Sequence, residues 1–167
     1  MDNPTSSAAS QDYGAQAYVS QAIQGDDAEV QLGQLAQQKG STSDIKELGQ
    51  KMASDHTQIN QKLMVPVAKR LGASQPKGPS KKEKKAIQKL QSLSGQQFDT
   101  AYIQLIDKDH QKDLKDSQEE AQSTQNPMVK QAAQESATVY QKQLQLIQQI
   151  AKDHNVPVTG KEISSLR

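Results

Sequence analysis

The sequence predicts an all-α fold, a four-helix bundle in which a long connection between the second and third helices carries a short extra helix. Three observations support this prediction. The chain is rich in Gln, Lys and Ala, which are acceptable or good helix formers. Aromatic residues make up only 3% of it, and no run shows the β-branched and aromatic alternation typical of strands. Four stretches repeat apolar residues at steps of three and four, the period of an amphipathic helix.

One domain with loose ends is expected. A flexible N-terminal arm covers residues 1–13, the four-helix bundle covers residues 14–154, and a C-terminal tail covers residues 155–167. The chain has 167 residues, which is enough for one helical core of this kind.

Short connections are predicted within each half of the bundle. Gly40 ends the first helix, and the hydroxyl groups of residues 41–43 can cap the second. Asn126 and Pro127 mark the start of the fourth helix, because Asn is a good N-cap and Pro is favoured at the first helical position. Connections this short make the joined helices antiparallel neighbours.

The long connection between the second and third helices is rich in proline and glycine. Pro66 should kink the second helix or end it early. Residues 73–80 hold two prolines and a glycine and form a loop. Residues 80–83, from Ser80 to Glu83, open a short lysine-rich helix that runs to about Leu93, and its lysines are expected to form a solvated face.

Histidines interrupt the apolar stripes of two predicted helices. In the second helix His56 stands where the next apolar residue is due, one turn after Met52. In the third helix, predicted over 95–123, His110 and Asp113 fall within the apolar stripe. The remaining histidine, His154, lies at the end of the fourth helix, where a solvated side chain is expected.

The positions of these polar residues along the helices suggest that they meet. Glu29, on the first stripe, lies 12 residues before the first turn, and His56 lies 15 residues after it. At a rise of about 1.5 Å per residue, the two side chains are within about one turn of the same height. His110 lies 15 residues before the second turn, so it also falls near the middle of the bundle.

Polar groups at one depth of a helical core must be paired or must bind something, because unpaired burial is costly. We therefore predict a metal site made by Glu29, His56, His110 and Asp113. Imidazole and carboxylate ligands suit Zn²⁺, Fe²⁺ or Mn²⁺ and do not separate them. The alternative is a hydrogen-bonded network with a purely structural role. Binding needs neutral imidazoles, so it should fade below the histidine reference pKa of about 6.5.

Several other functions are disfavoured. Di-iron bundles carry two Glu-x-x-His motifs, and this chain has none. It has no cysteine, no Gly-x-Ser-x-Gly motif and no glycine-rich phosphate loop, so no enzyme activity is expected. A net charge of +1 argues against a nucleic-acid partner, and no apolar stretch is long enough to span a membrane.

Three segments resemble the domain-of-unknown-function 4142 family of bacterial proteins. They are residues 28–36, AEVQLGQLA; residues 52–56, MASDH; and residues 94–102, SGQQFDTAY, with the later pair Asp109-His110. The resemblance implies a ferritin-like four-helix bundle and no established activity. The family pattern usually has a further histidine in the last helix, where Gln143 stands in this chain.

The resemblance also implies export to the periplasm or the cell envelope. No signal peptide is expected in the given sequence, since Met1 is followed by Asp2 and a polar stretch; this start is either native or an initiator Met on a mature form. The predicted function is therefore an exported, non-enzymatic bundle that binds a divalent transition metal at mid-bundle. The alternative is a structural or stress-related interaction protein whose buried polar network only supports the fold. The sequence indicates no particular protein partner.

Overall fold

A computed structural model describes the backbone of residues 4–158 and the side chains of residues 13–158, and all regular structure in this range is helical. The six α-helices are α1 (Pro4–Lys39), α2 (Ser43–Ile59), α3 (Val65–Leu71), α4 (Lys81–Gln91), α5 (Gly95–Ser123) and α6 (Pro127–Asp153). A π-helical turn, Asn60–Met64, joins α2 directly to α3. The predicted all-α class is confirmed.

Two antiparallel hairpins form the bundle. Helix α1 packs along α2, and α5 packs along α6, while contacts between the hairpins are sparser. The predicted extra helix is present as α4, which contacts both α1 and α5. The four-helix bundle with a helical insert in its long connection is thus observed, with α2, the π-turn and α3 together forming its second long arm.

The two ends of the chain were predicted to be an arm and a tail. Helix α1 begins at Pro4, so the backbone is already helical through most of the segment predicted as an arm, residues 1–13. The three residues before Pro4 lie outside the described range. The predicted tail, residues 155–167, is described only as far as Val158.

The helix caps agree with the sequence signals at two of three starts. Asn126 accepts hydrogen bonds from the backbone N–H groups of Met128 and Val129, as expected of an N-cap. Ser80 and Glu83 form a capping box at the start of α4. Before α2, however, the N-cap residue makes no side-chain capping bond.

The hydroxyl of Ser41 instead binds Asp99 of α5, whose other carboxylate oxygen accepts the Ser41 backbone N–H at 3.0 Å. This turn therefore uses its polar side chains to join the two hairpins. Gly40 also departs from expectation, because it does not adopt a left-handed conformation. A Cβ at Gly40 would lie 2.8 Å from Ile45 Cγ2, so the position requires a small residue.

The buried apolar side chains form two clusters, one towards each end of the bundle. The first contains Leu32, Ile45, Leu48, Met52, Phe98, Tyr102, Ile103, Ile106 and Ile147 among others. The second contains Val19, Ile23, Ile59, Met64, Ala68, Val129 and Tyr140 among others. On every long helix a polar residue lies between the members of the two clusters, so a polar layer crosses the middle of the core.

Helices α1 and α2 are in close backbone contact at a pair of glycines, Gly33 and Gly49. A Cβ built on either glycine would lie 2.5 Å from the carbonyl oxygen of the other. The close approach is thus possible only because both positions lack a side chain. It holds the two helices together one to two turns from the polar layer.

We predict that Gly33→Ala destabilises the protein by about 1–3 kcal/mol, because the added methyl group meets backbone that cannot move aside cheaply. Gly25→Ala is the matched control on the same helix. A Cβ there would meet only Glu83 Oε2, at 3.9 Å, so this change should be neutral or stabilise by about 0.5–1 kcal/mol. Denaturant unfolding of both variants measures the difference, and equal effects would contradict the assignment.

Candidate metal centre

The polar layer brings together side chains from all four long arms of the bundle. Helix α1 supplies Asp26 and Glu29, α2 supplies His56, α5 supplies His110, and α6 supplies Gln143. Each of these side chains is buried, with no more than 2% of its surface exposed. The polar residues that interrupt the apolar stripes thus meet in one buried layer of the core.

The two histidines face each other through the same ring atom. His56 Nε2 and His110 Nε2 are 3.2 Å apart, and the rings meet edge to face. His110 Nδ1 lies 2.7 Å from the carbonyl oxygen of Ile106, an atom that can only accept a hydrogen bond. The proton of neutral His110 is therefore on Nδ1, and its Nε2 presents a lone pair to His56.

The other nitrogen of His56 contacts a buried carboxyl group. His56 Nδ1 lies 2.8 Å from Asp26 Oδ1. The Tyr140 hydroxyl donates to the same oxygen at 3.3 Å, and the Tyr140 ring stacks on the His56 ring. Asp26 and Tyr140 thus fix the orientation of His56 in the layer.

Two further acceptors point into the layer. Gln143 Oε1 lies 3.0 Å from His110 Nε2, while Gln143 Nε2 donates to Asp55 Oδ2 at 3.2 Å. Glu29 shares a hydrogen bond with Asp109, but its Oε2 is buried with no hydrogen-bond partner among the described residues. One ring nitrogen of each histidine and one carboxylate oxygen of Glu29 all lie within 4.8 Å of one another.

Two proton arrangements are consistent with these contacts. In the first, Asp26 is protonated and donates to His56 Nδ1, and His56 Nε2–H then donates to His110 Nε2. In the second, Asp26 is ionised and accepts from His56 Nδ1–H, so both Nε2 atoms present lone pairs. The second arrangement needs a cation between the histidines, because facing lone pairs repel.

Burial decides the charge of the titratable groups. It lowers the pKa of His56 to about 4 and that of His110 to about 3, so both imidazoles stay neutral well below the reference value. It raises the pKa of Asp26 and Glu29 well above the usual carboxyl range. Near neutral pH, the charge of the layer is therefore expected to depend on its carboxyl groups and not on its histidines.

The structure brings together three of the four predicted ligands, namely Glu29, His56 and His110. The fourth, Asp113, is not part of this group. It is half-buried and lines a groove between α1 and α5, together with Asp109. The reason is helical geometry, since Asp113 lies one turn after Asp109 and therefore on the face beside the His110 stripe.

Sequence reasoning did not assign Asp26 and Tyr140 a place at the site. A signal was present for Asp26, because it lies one turn before Val30 and three residues before Glu29. Gln143, at the position compared with the family histidine, does reach the site.

The family to which the chain belongs has no assigned function. The profile of DUF4142, a domain of unknown function, matches residues 2–150, so the chain is a member of that family. No curated protein sequence matches it. Among residues 4–158, none of the helices combines the length and hydropathy of a membrane-spanning segment.

Two solved structures have a similar fold. A DUF305 fragment from Deinococcus radiodurans has a TM-score of 0.73 at 11% identity, covering 84% of this chain and 96% of its own. A DUF305 protein from Streptomyces coelicolor, described as a predicted secreted protein, has a TM-score of 0.71 at 12% identity, covering 90% of this chain and 98% of its own. At such identities the likeness concerns the fold alone.

We predict that Glu29→Gln stabilises the metal-free protein, and does so more as the pH rises. The folded pKa of Glu29 lies above its unfolded value. Its contribution to stability is therefore present below the unfolded pKa of about 4.5 and is lost as the pH rises through the folded pKa. An amide does not titrate, so the variant avoids this loss.

Thermal melts in chelator at about pH 5 and about pH 8 provide the measurement. Glu47→Gln, which changes an exposed glutamate on α2, controls for the loss of one carboxyl group. A difference between Glu29→Gln and wild type that does not change with pH would show that Glu29 is not a buried titrating group.

Proposed function

We propose that the protein binds one divalent transition metal ion at mid-bundle, through His56 Nε2, His110 Nε2 and the carboxylate of Glu29. One observation carries the proposal: three ligand atoms lie within 4.8 Å of one another in the buried layer. A cation would accept the lone pairs of all three at once. The free-energy cost of burying these three ligand atoms without partners would then be removed.

The surroundings of the histidines support this proposal. Histidines that bind metals almost always donate their other ring N–H to a carboxylate or a backbone carbonyl. His56 has Asp26 at Nδ1, and His110 has the carbonyl of Ile106. Two imidazoles and one carboxylate suit Zn²⁺, Fe²⁺ or Mn²⁺, and the amide oxygen of Gln143 or a water molecule could complete the coordination.

The competing function is a structural polar network without metal. It requires a protonated Asp26 and a chain of hydrogen bonds that ends at the Ile106 carbonyl. In that arrangement Gln143 Oε1 still faces a lone pair of His110 at 3.0 Å, and Glu29 Oε2 still has no hydrogen-bond partner within residues 13–158. The network leaves two acceptors unsatisfied that a metal ion would satisfy, and this difference favours the metal.

We predict that Zn²⁺, Mn²⁺ or Fe²⁺ raises the melting temperature of the wild-type protein and that a chelator reverses the rise. A metal that binds only the folded state, at 100 times its dissociation constant, adds about 2.7 kcal/mol. His110→Gln and Glu29→Gln should lose this gain, because each removes a ligand. His154→Gln should keep it, since His154 binds Asp44 at the far end of the bundle.

The comparison of His110→Gln with His154→Gln separates the proposed site from adventitious binding. If no metal stabilises the wild-type protein, the structural network is the correct description. If His110→Gln keeps the full gain, or if His154→Gln loses it, the ion binds elsewhere and the proposed ligand set is wrong.

We further predict that Gln143→His increases the affinity for Zn²⁺. Gln143 already reaches the pair of histidines, and an imidazole nitrogen is a better Zn²⁺ ligand than an amide oxygen. A competition titration with a chromophoric chelator should give a dissociation constant lower by about tenfold or more. An unchanged or weaker affinity would place position 143 outside the coordination sphere.

We also infer that the protein is not an enzyme and acts outside the cytoplasm. The first inference rests on the absence of a Glu-x-x-His pair and of a nucleophile motif from the sequence. Fe²⁺ oxidation in air faster with the protein than without it would contradict this.

The inference that the protein acts outside the cytoplasm rests on family membership and on the description of one structural neighbour. Recovery of the protein with cytoplasmic markers after cell fractionation would contradict it.

A further inference from the structure

A groove between α1 and α5 connects the surface with the polar layer. It has a volume of about 780 Å³, and Asp26 and Glu29 line its inner end. Exposed residues such as Gln21 and Glu119 line its outer part. A small ion could therefore move from solvent to Glu29 without separating the two hairpins.

Carboxyl side chains follow this groove along one face of α5. Asp109, Asp113, Asp116 and Glu120 are spaced by four, three and four residues, which places them in one stripe. All four are partly buried and line the groove. In total eight carboxyl side chains and three lysines line it, so groups that can become negative outnumber the positive ones and the lining favours a cation.

An acidic stripe alone would not identify a ligand, but Glu29 provides an independent observation. Its side chain is 2% exposed and lines the inner end of the groove, and its Oε2 has no hydrogen-bond partner among the described residues. The stripe thus leads to a buried oxygen that a cation would satisfy. Burial and mutual repulsion also raise the pKa of Asp113, and an approaching cation would relieve that repulsion.

A second groove reaches the layer from the opposite side, between α2 and α6. It is smaller, about 390 Å³, and Gln143 lies at its inner end. Three lysines and two carboxyl side chains line it, so its charge repels a cation. The two grooves therefore differ in the sign of the charge that they present to an incoming metal ion.

We propose that the groove between α1 and α5 is the route by which a divalent metal ion reaches Glu29, His56 and His110, with Asp113 guiding it inward. This inference rests on the proposed metal function and extends it. Asp113, the predicted ligand that does not join the site, thereby gains a role in metal access. It acts on the rate of binding and not as part of the coordination sphere.

The test uses the full chain and Co²⁺, whose binding to imidazole and carboxylate ligands can be followed by visible absorption. Stopped-flow mixing gives the association rate constant for wild type, Asp113→Asn and Gln21→Lys. The first variant removes a carboxyl group from the acidic stripe, and the second adds a positive charge at the exposed outer part of the groove. Glu135→Gln, in the opposite groove, is the matched control.

We expect Asp113→Asn and Gln21→Lys to slow association by about threefold or more at low salt, and this effect to fade as salt screens the charges. Glu135→Gln should leave the rate unchanged. Gln21 is exposed, so its variant tests the route even if Asp113→Asn alters folding.

Other results would overturn the route. Unchanged association rates for both variants, or a slower rate for Glu135→Gln alone, would place the path elsewhere. Faster dissociation of Co²⁺ from Asp113→Asn with an unchanged association rate would make Asp113 a ligand. In each of these cases the metal site itself would stand. A wild-type protein that binds no Co²⁺ would instead refute the proposed metal function and the route with it.

Discussion

The arrangement of this bundle depends on a group of acceptors buried at its centre. His56 Nε2 and His110 Nε2 are 3.2 Å apart, and the hydrogen bond from His110 Nδ1 to Ile106 leaves one of them without a proton. Removing such groups from water is costly unless something satisfies them. Each long arm of the bundle contributes to this layer, which separates two apolar clusters that are otherwise ordinary helical cores. The layer therefore restricts how the two hairpins can be packed on each other, since a shift of either one would bury its polar groups against apolar side chains.

The glycine contact between α1 and α2 serves the same arrangement. Gly33 lies one turn after Glu29, and Gly49 lies two turns before His56, so this close backbone contact is next to the layer. This contact sets the distance between the carboxyl groups of α1 and the imidazole of α2. The hairpins are joined at their ends by polar contacts, among them Ser41 with Asp99 and Asp44 with His154. The glycine contact and these polar contacts thus hold the two hairpins around the layer.

Much of the fold could be predicted because its signals are local. Asn126-Pro127 and Ser80 with Glu83 mark helix starts within a few residues, and both predictions are confirmed. The depth of Glu29, His56 and His110 could also be predicted, since helix rise converts residue counts into height. The direction in which a side chain points around the helix axis is harder to predict. This direction places Asp113 in the groove and His110 in the polar layer. The tautomer of His110 and the contact of Asp26 with His56 depend on atoms from separate helices. No local sequence pattern encodes this tautomer or this contact. The excess of hydrogen-bond acceptors over donors in the polar layer is therefore visible only in the structure.

X-ray absorption at the zinc edge tests the central claim most directly, using protein loaded with one equivalent of Zn²⁺. The account predicts a first shell of nitrogen and oxygen at about 2.0–2.2 Å, with the outer-shell scattering of two imidazole rings. His154→Gln should give the same spectrum, and His110→Gln should lose one imidazole. A spectrum with only oxygen ligands, or one in which His154 supplies an imidazole, would contradict the assignment of the ion to the buried layer.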